Sequence, residues 1–180
     1  MDKVSVEGAI RIDRIDTPLG SMLAGATEGA ICFLGFAEAS NTRKDIDRLK
    51  GLLDCDLVEG HDPALQKLKL QLGQYFEGKR TKFDLLLRIV GTPFQKAAWE
   101  ALQEIPYAET ISYEEQAHRI GRPKAVRAVA RANGANRIAI VVPCHRVIGK
   151  TGKLVGYGAG LWRKQKLLDI EEKYLSERKR

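Results

Sequence analysis

Between Thr92 and Gly134 the chain is punctuated so closely that its local fold is nearly dictated. Thr92-Pro93-Phe94-Gln95 has the form of a capping box with Pro at the first helical position. The helix it opens runs through Trp99 and Leu102 towards Pro106. Ser112-Tyr113-Glu114-Glu115 reads as a second capping box, opening a short helix that Gly121 closes. Arg122-Pro123 restarts a helix through Ala125 to Arg131, and Asn133-Gly134 ends it. Two short helices joined by a tight Gly-containing turn form the helix-turn-helix pattern, although a purely structural helix pair fits the same punctuation.

The second of these helices has an unusual composition. It carries Lys124, Arg127 and Arg131 among alanines at 125, 128, 130 and 132. Basic side chains contact phosphate, and alanine lets a backbone approach closely. Readers of base edges such as Asn, Gln and paired Arg forks are few, so little sequence specificity is expected. Charge is distributed to match. Residues 1–84 hold 12 Lys/Arg and 14 Asp/Glu, whereas residues 85–180 hold 18 and 9. A net of −2 on one half and +9 on the other suggests a polyanion-facing part joined to a neutral one. A merely solvated basic surface fits the charge alone.

Downstream, Ile138-Ala139-Ile140-Val141-Val142 is an apolar, largely β-branched run that reads as a buried strand stopping at Pro143. A thiol and an imidazole follow, Cys144 and His145. Held at a strand end, such a pair is a nucleophile with its base. In isolation the better reading is a small buried filler beside a surface residue. The last segment, Leu161 to Arg180, reads as a charged amphipathic helix. Leu161, Leu167, Leu168, Ile170, Tyr174 and Leu175 supply its buried side, and Ser176 to Arg180 are expected to fray. Glu171 falls close to that side, where an isolated acid is costly unless paired.

The first half reads differently. Ile10–Ile15, Met22–Ala26 and Ala30–Phe36 are short β-like runs separated by Pro18-Leu19-Gly20-Ser21 and Glu28-Gly29, the pattern of an antiparallel meander. Residues 40–53 look helical but polar. Asp62-Pro63 starts a clearer helix whose Leu65, Leu68, Leu72, Tyr75 and Phe76 form a core stripe, ended by Gly78. Phe83 to Val90 is a connector. Cys32, Cys55 and Cys144 are odd in number and far apart, which indicates neither a disulfide framework nor a zinc site; Cys32 and Cys55 are assigned to packing. No apolar run is long enough for a membrane span, and Met1 to Glu7 do not form a secretory signal. A reducing cytoplasm is the expected location.

Taken together, these stretches resemble the O6-alkylguanine-DNA alkyltransferases, the methylated-DNA–protein-cysteine methyltransferases. The likeness is carried by Gly91-Thr92-Pro93-Phe94-Gln95, Ile111-Ser112-Tyr113, Gly121 to Val129, Asn133-Gly134-Ala135-Asn136, Pro143-Cys144-His145-Arg146-Val147 and Gly156-Tyr157-Gly158, in order over about residues 88–172. Residues 10–84 resemble the family's variable N-terminal part more loosely. The resemblance implies an α/β (α+β) protein. A small ribonuclease-H-like sheet domain would occupy residues 1–87, and a mainly helical domain with the helix-turn-helix residues 88–180.

It also implies roles. Cys144 would be the alkyl acceptor, with His145 its base through a water molecule and Glu171 holding the imidazole's other nitrogen. Tyr113 would serve the departing guanine, and Asn136 would tie the helix-turn-helix to the active-site strand. Arg127 would fill the space left by the extruded base, with Lys124, Ala125, Arg131 and Ser112 also facing DNA. Val147, Tyr157, Gly158 and Ala159 would line the base pocket, although positions 158–160 vary among relatives. The implied reaction is irreversible, stoichiometric transfer of an alkyl group from O6 of guanine, and possibly O4 of thymine, in flipped-out DNA to Cys144. No metal or organic cofactor is implied, and the partner is double-stranded DNA bound by a monomer. Two alternatives differ in class. An alkyltransferase-like lesion-binding module lacks the acceptor cysteine that is present here. A cysteine hydrolase is opposed by the basic helix pair and by the lack of an oxyanion Gly motif before Cys144.

Overall fold

A computed structural model of the chain describes residues 8–179. The N-terminal segment Met1 to Glu7 and the terminal Arg180 lie outside the described residues, so the reading of the former as no signal is not addressed. Strands β1 (Ile10–Ile15), β2 (Met22–Thr27) and β3 (Ala30–Phe36) form the expected antiparallel meander. A short strand, β4 (Leu57–Glu59), adds in parallel to β1, giving the order β3-β2-β1-β4. Helix α1 (Thr42–Leu53) makes the crossover between β3 and β4. Helix α2 (Pro63–Phe76) starts as expected: Asp62 accepts from the Ala64 N–H at 2.8 Å, with Pro63 in the first turn.

The free edge of β3 positions the rest of the molecule. An uncovered edge presents unpaired N–H and C=O groups. Here the connector takes the first of them, with Ile31 and Leu87 forming a parallel bridge. Farther along, Leu34 bridges Ile138, through Leu34 N–H to Arg137 O at 2.7 Å and Ala139 N–H to Leu34 O at 2.8 Å. The segment entering Cys144 is therefore pinned to the N-terminal sheet.

The remaining elements are α3 (Pro93–Gln103), β5 (Ile111–Ser112), α4 (Tyr113–Arg119), α5 (Val126–Gly134), a 3-10 helix at Cys144–Arg146, β6 (Val147–Ile148) and α6 (Leu161–Arg178). Strands β5 and β6 pair in parallel as a separate two-stranded sheet. One core runs through both halves: Met22, Leu34, Phe36, Leu68 and Tyr75 share it with Trp99, Leu102, Ile140, Val147 and Leu167. Cys32 belongs to a smaller cluster with Ile10, Phe33, Ile46 and Leu49, in keeping with packing. No helix among the described residues is long and apolar enough to cross a membrane.

Several expectations are corrected. Ile138–Val142 is not a strand. Only Ile138 makes a bridge; the chain then turns, with Ile140 at φ +70°. A β-branched residue there is an outlier, tolerated because Ile140 is 1% exposed and fixed in the core. The box at Ser112 is half formed. Its hydroxyl accepts from the Glu115 N–H at 3.0 Å, but Glu115 turns outward to Arg119 at 2.6 Å. Helix α5 starts at Val126 rather than at Arg122-Pro123, because residues 122–125 form a turn closed by Ala125 N–H on Arg122 O. Asn133 and Gly134 lie inside α5, which Ala135 caps. Helix α6 does not fray from Ser176; it continues to Arg178, which donates to Gly78 O at 2.7 Å. Its inner face is also more polar than expected. Leu161 is exposed, while Arg163, Lys164 and Glu171 are buried beside Leu167.

Candidate active site

Cys144 opens the 3-10 helix directly after an inverse γ-turn at Pro143 (φ −84°, ψ 64°), closed by Cys144 N–H on Val142 O at 2.9 Å. The platform is this double turn rather than a strand end. Asn136 holds it together. Its side-chain oxygen accepts from Ile138 N–H at 3.0 Å, and its amide donates to Val142 O at 2.8 Å and to Cys144 Sγ at 3.3 Å. Asn136 thus reaches the sulfur itself as well as the turn. Burial pushes the Cys144 thiol up, against the opposing pull of the Asn136 hydrogen bond and the Lys164 charge. A thiol so held needs a base.

His145, next in sequence, has a defined tautomer. Its Nε2 lies 2.8 Å from Glu171 Oε1, and both side chains are fully buried. An ionised carboxylate only accepts, so Nε2 carries the proton and Nδ1 keeps its lone pair. Nδ1 is buried without a hydrogen-bond partner in the protein. Burial lowers the His145 pKa below 6.5, outweighing the pull of Glu171, so the ring is neutral near pH 7. Glu171 is held strongly acidic: burial would raise it, but His145 and Arg146 together overcome that. Arg146 grips the carboxylate through Nε and Nη2, both at 2.9 Å, and donates Nη1 to Ile105 O at 2.7 Å. Two more donors come from the Tyr75 hydroxyl at 2.8 Å and the Ala108 N–H at 2.9 Å.

Cys144 lines a cleft of about 50 Å³ together with Asn133, Asn136, Arg137, Ala139, Tyr157, Gly158 and Ala159. The far wall comes from the N-terminal half, where Phe36, Ala39, Asn41 and Asp45 contribute. Gly158 faces Asn41, and a Cβ there would sit 3.4 Å from its amide, at ordinary van der Waals contact. Tyr113 is buried, and its hydroxyl donates to Val155 O at 3.0 Å, with Gly156 O at 3.3 Å. Val147, fully buried, is not among the residues that line the cleft, and its carbonyl is taken by Lys164 Nζ at 2.6 Å. The same ammonium reaches Val155 O at 2.8 Å, and burial lowers its pKa to about 8. Arg163 completes the scaffold by joining Leu19 O to Ala159 O at 2.9 and 3.0 Å.

The helix pair lies beside this cleft. Lys124, Arg127, Ala128, Ala130 and Arg131 are exposed, and Ala125 is half-buried. The opposite side of α5, Val129, Ala132 and Asn133, is buried. A reciprocal amide pair, Gln116 with Asn133 at 3.0 and 2.6 Å, locks α4 to α5, and Trp99 Nε1 donates to Ala132 O at 2.8 Å. Ser112 spends its hydroxyl on the α4 cap. The structure therefore gathers Cys144, His145, Glu171 and Asn136 into one cluster, with Tyr157, Gly158 and Ala159 at its mouth. The basic side chains stand apart on an open face. Sequence reasoning missed Tyr75, Arg146 and Lys164 as parts of the site. The Arg in Pro143-Cys144-His145-Arg146-Val147 was a signal for the second, but nothing local marks the other two.

Comparison with known proteins follows the same division. Residues 10–89 match the family pattern described as 6-O-methylguanine DNA methyltransferase, ribonuclease-like domain, and residues 93–173 match its DNA binding domain. A methylated-DNA–protein-cysteine methyltransferase of Methanosarcina barkeri is 44% identical over 91% of this chain and 98% of its own length. The chain belongs to this family. A relative of the same name from Mycolicibacterium paratuberculosis is 61% identical over 58% of this chain, a match spanning 63% of that protein. Among solved structures, Mycobacterium tuberculosis OGT in complex with DNA superposes with a TM-score of 0.79 at 41% identity, covering 91% of this chain and 94% of that one. The O6-methylguanine-DNA methyltransferase of Pyrococcus kodakaraensis gives 0.67 at 25% identity, over 90% and 98%. The methyltransferase family's mixed α/β fold, a small sheet followed by a helical DNA-binding part, is the fold observed here.

Proposed function

We propose that this protein repairs DNA by direct reversal, moving a methyl or other small alkyl group from O6 of guanine, and from O4 of thymine, onto its own Cys144. The observation that carries this reading is the conjunction at one sulfur: an Asn136 hydrogen bond, the buried His145–Glu171 pair next in sequence and a cleft walled by Tyr157. The target carbon points into the stacked duplex, so the nucleotide is flipped out, at a cost of a few kcal/mol that is smaller for a mispaired lesion. Arg127 fills the gap in the stack, while Lys124, Ala125, Arg131 and the Ser112 end of α4 lie along the phosphates. Val147, Tyr157, Gly158 and Ala159 receive the base. Double-stranded DNA is the partner, bound by a monomer in the cytoplasm. Residues 88–180 carry the chemistry and residues 1–87 buttress it.

The atoms balance without a co-reactant. The thiol proton passes to His145 Nδ1 through a bridging water as sulfur attacks the alkyl carbon in line with the O6–C bond. The S–C bond forms, the O6–C bond breaks, and the guanine takes up a proton with Tyr113 beside it. Net, the thiol hydrogen has gone to guanine. Glu171 stabilises the imidazolium that forms in between. The product is a thioether, and nothing in the site is arranged to cleave it, so one molecule repairs one lesion with no cofactor.

Mass spectrometry after incubation with a duplex containing O6-methylguanine tests the proposal. A single methyl gain on the Cys144 peptide, absent in Cys144→Ala, is expected. Binding without mass gain would overturn it in favour of a lesion-binding module, and multiple turnover would point to a hydrolase.

A further inference from the structure

Glu171 collects more donors than an orienting acid needs. Oε1 accepts from His145 Nε2 at 2.8 Å, Arg146 Nη2 at 2.9 Å and the Tyr75 hydroxyl at 2.8 Å. Oε2 accepts from Arg146 Nε and Ala108 N–H, both at 2.9 Å. A carboxylate offers about four lone-pair sites, so five donors oversubscribe it, and the crowding falls on the oxygen that holds the imidazole. Tyr75 is the distant member. It sits on α2, 96 residues before Glu171, is fully buried, and packs its ring against Phe76, Phe83 and Tyr107.

We propose that Tyr75 is a positioning residue for alkyl transfer: by sharing Oε1, its hydroxyl limits the hold of Glu171 on His145 and keeps Nδ1 available as the base. This rests on the reading of Cys144 as acceptor. A lone carboxylate beside a buried imidazole favours the protonated ring, which takes no proton from a thiol. Arg146 cancels the charge of Glu171, and Tyr75 draws density from the shared oxygen without adding charge. The device holds across the working pH range because burial and Glu171 push the Tyr75 hydroxyl well above its ordinary value of 10, so it remains a donor. The other groups facing His145 and Glu171 are Tyr107 from the turn before β5, Cys144 and Arg146 from the 3-10 helix, and Lys164 from α6. Of these only Arg146 bonds the carboxylate.

Tyr75→Phe keeps the ring and removes the hydroxyl. Single-turnover methyl transfer, followed from about pH 5 to pH 9, should show the acid limb moved up by about half a unit, with the largest loss of rate at low pH. In a Glu171→Gln background the same change should move the limb no further. A Tyr75→Phe profile that keeps its acid limb, whether or not its height falls, overturns the proposal, because a structural role lowers all rates alike. A second measurement needs neither DNA nor activity. Ring 15N NMR of His145 in the unsubstituted protein should give the Nε2–H tautomer and a pKa below 6.5, rising in Tyr75→Phe; a ring titrating at or above 6.5 before any substitution overturns it. Absence of methyl transfer in the unsubstituted protein, with the NMR result intact, would instead count against Cys144 as acceptor.

Discussion

Lys164 donates its buried ammonium to the carbonyl oxygen of Val147 at 2.6 Å. The contact joins α6 to the chain just beyond Cys144, and its second bond, to Val155 O at 2.8 Å, reaches across to the segment that enters Gly156-Tyr157-Gly158. One cation therefore sets the separation of β6 and the segment before Gly156. Lys164→Met should strip the Val147 carbonyl of this donor, at about 1–3 kcal/mol for a buried unpaired group, while Val155 O keeps the Tyr113 hydroxyl. Urea unfolding measures that loss. Single-turnover methyl transfer should slow by about tenfold, from misplacement of the pocket backbone.

The neutral His145 predicts the pH dependence. Burial holds its pKa below the ordinary 6.5, so the base form persists through that pH, and transfer should be level near neutrality and decline only on the more acid side. Stability follows the same sign. As pH falls below 6.5 the unfolded chain binds the proton first, so the folded state loses stability down to the folded pKa. Rates and urea midpoints collected over that window check both. A rate already halved at pH 6.5 would contradict the first.

Glu171→Gln tests the cluster through charge rather than shape. It leaves Arg146 with an uncompensated buried guanidinium, for which about 3–5 kcal/mol of destabilisation is expected. It also loses the anion that stabilises the imidazolium, so transfer should fall by roughly 10²-fold or more. Arg146→Met with Glu171→Gln should recover part of the stability but not the rate.

The basic face of α5 and of the turn before it predicts behaviour on DNA. Lys124→Ala and Arg131→Ala should each weaken binding to damaged and undamaged duplexes alike and reduce the salt slope by about one. Arg127→Ala should instead cost transfer more than binding if, as proposed, it occupies the gap left by the flipped base. Fluorescence anisotropy over a salt series, paired with single-turnover rates, separates the two. An unchanged slope in Lys124→Ala would remove that residue from the interface.

How far the chain could be read follows from the range of the forces. The capping box at Thr92, the Asp62-Pro63 start and the β1–β3 meander are local, and they are where the residues put them. Ile138–Val142 misleads because a β-branched run reports burial as readily as extension; what bends it is Asn136, bonding forward to Ile138 and Val142. Strand β4 is three residues long and exists through its parallel partner β1. Lys164 and Arg163 on α6 read as solvent-facing charges, since the carbonyls that satisfy them lie on other segments. Tyr75 reads as core, and it is core; its hydroxyl acquires meaning only from a carboxylate at the other end of the chain.

The thiol of Cys144 is kept protonated by its surroundings and opens onto a cleft of about 50 Å³. For the single-use acceptor proposed above, such reticence is an advantage. Small electrophiles that alkylate DNA also seek out thiolates, and a sulfur ionised at rest would be exhausted by them in solution. On that proposal, the same environment that slows the sulfur conserves the supply of repair.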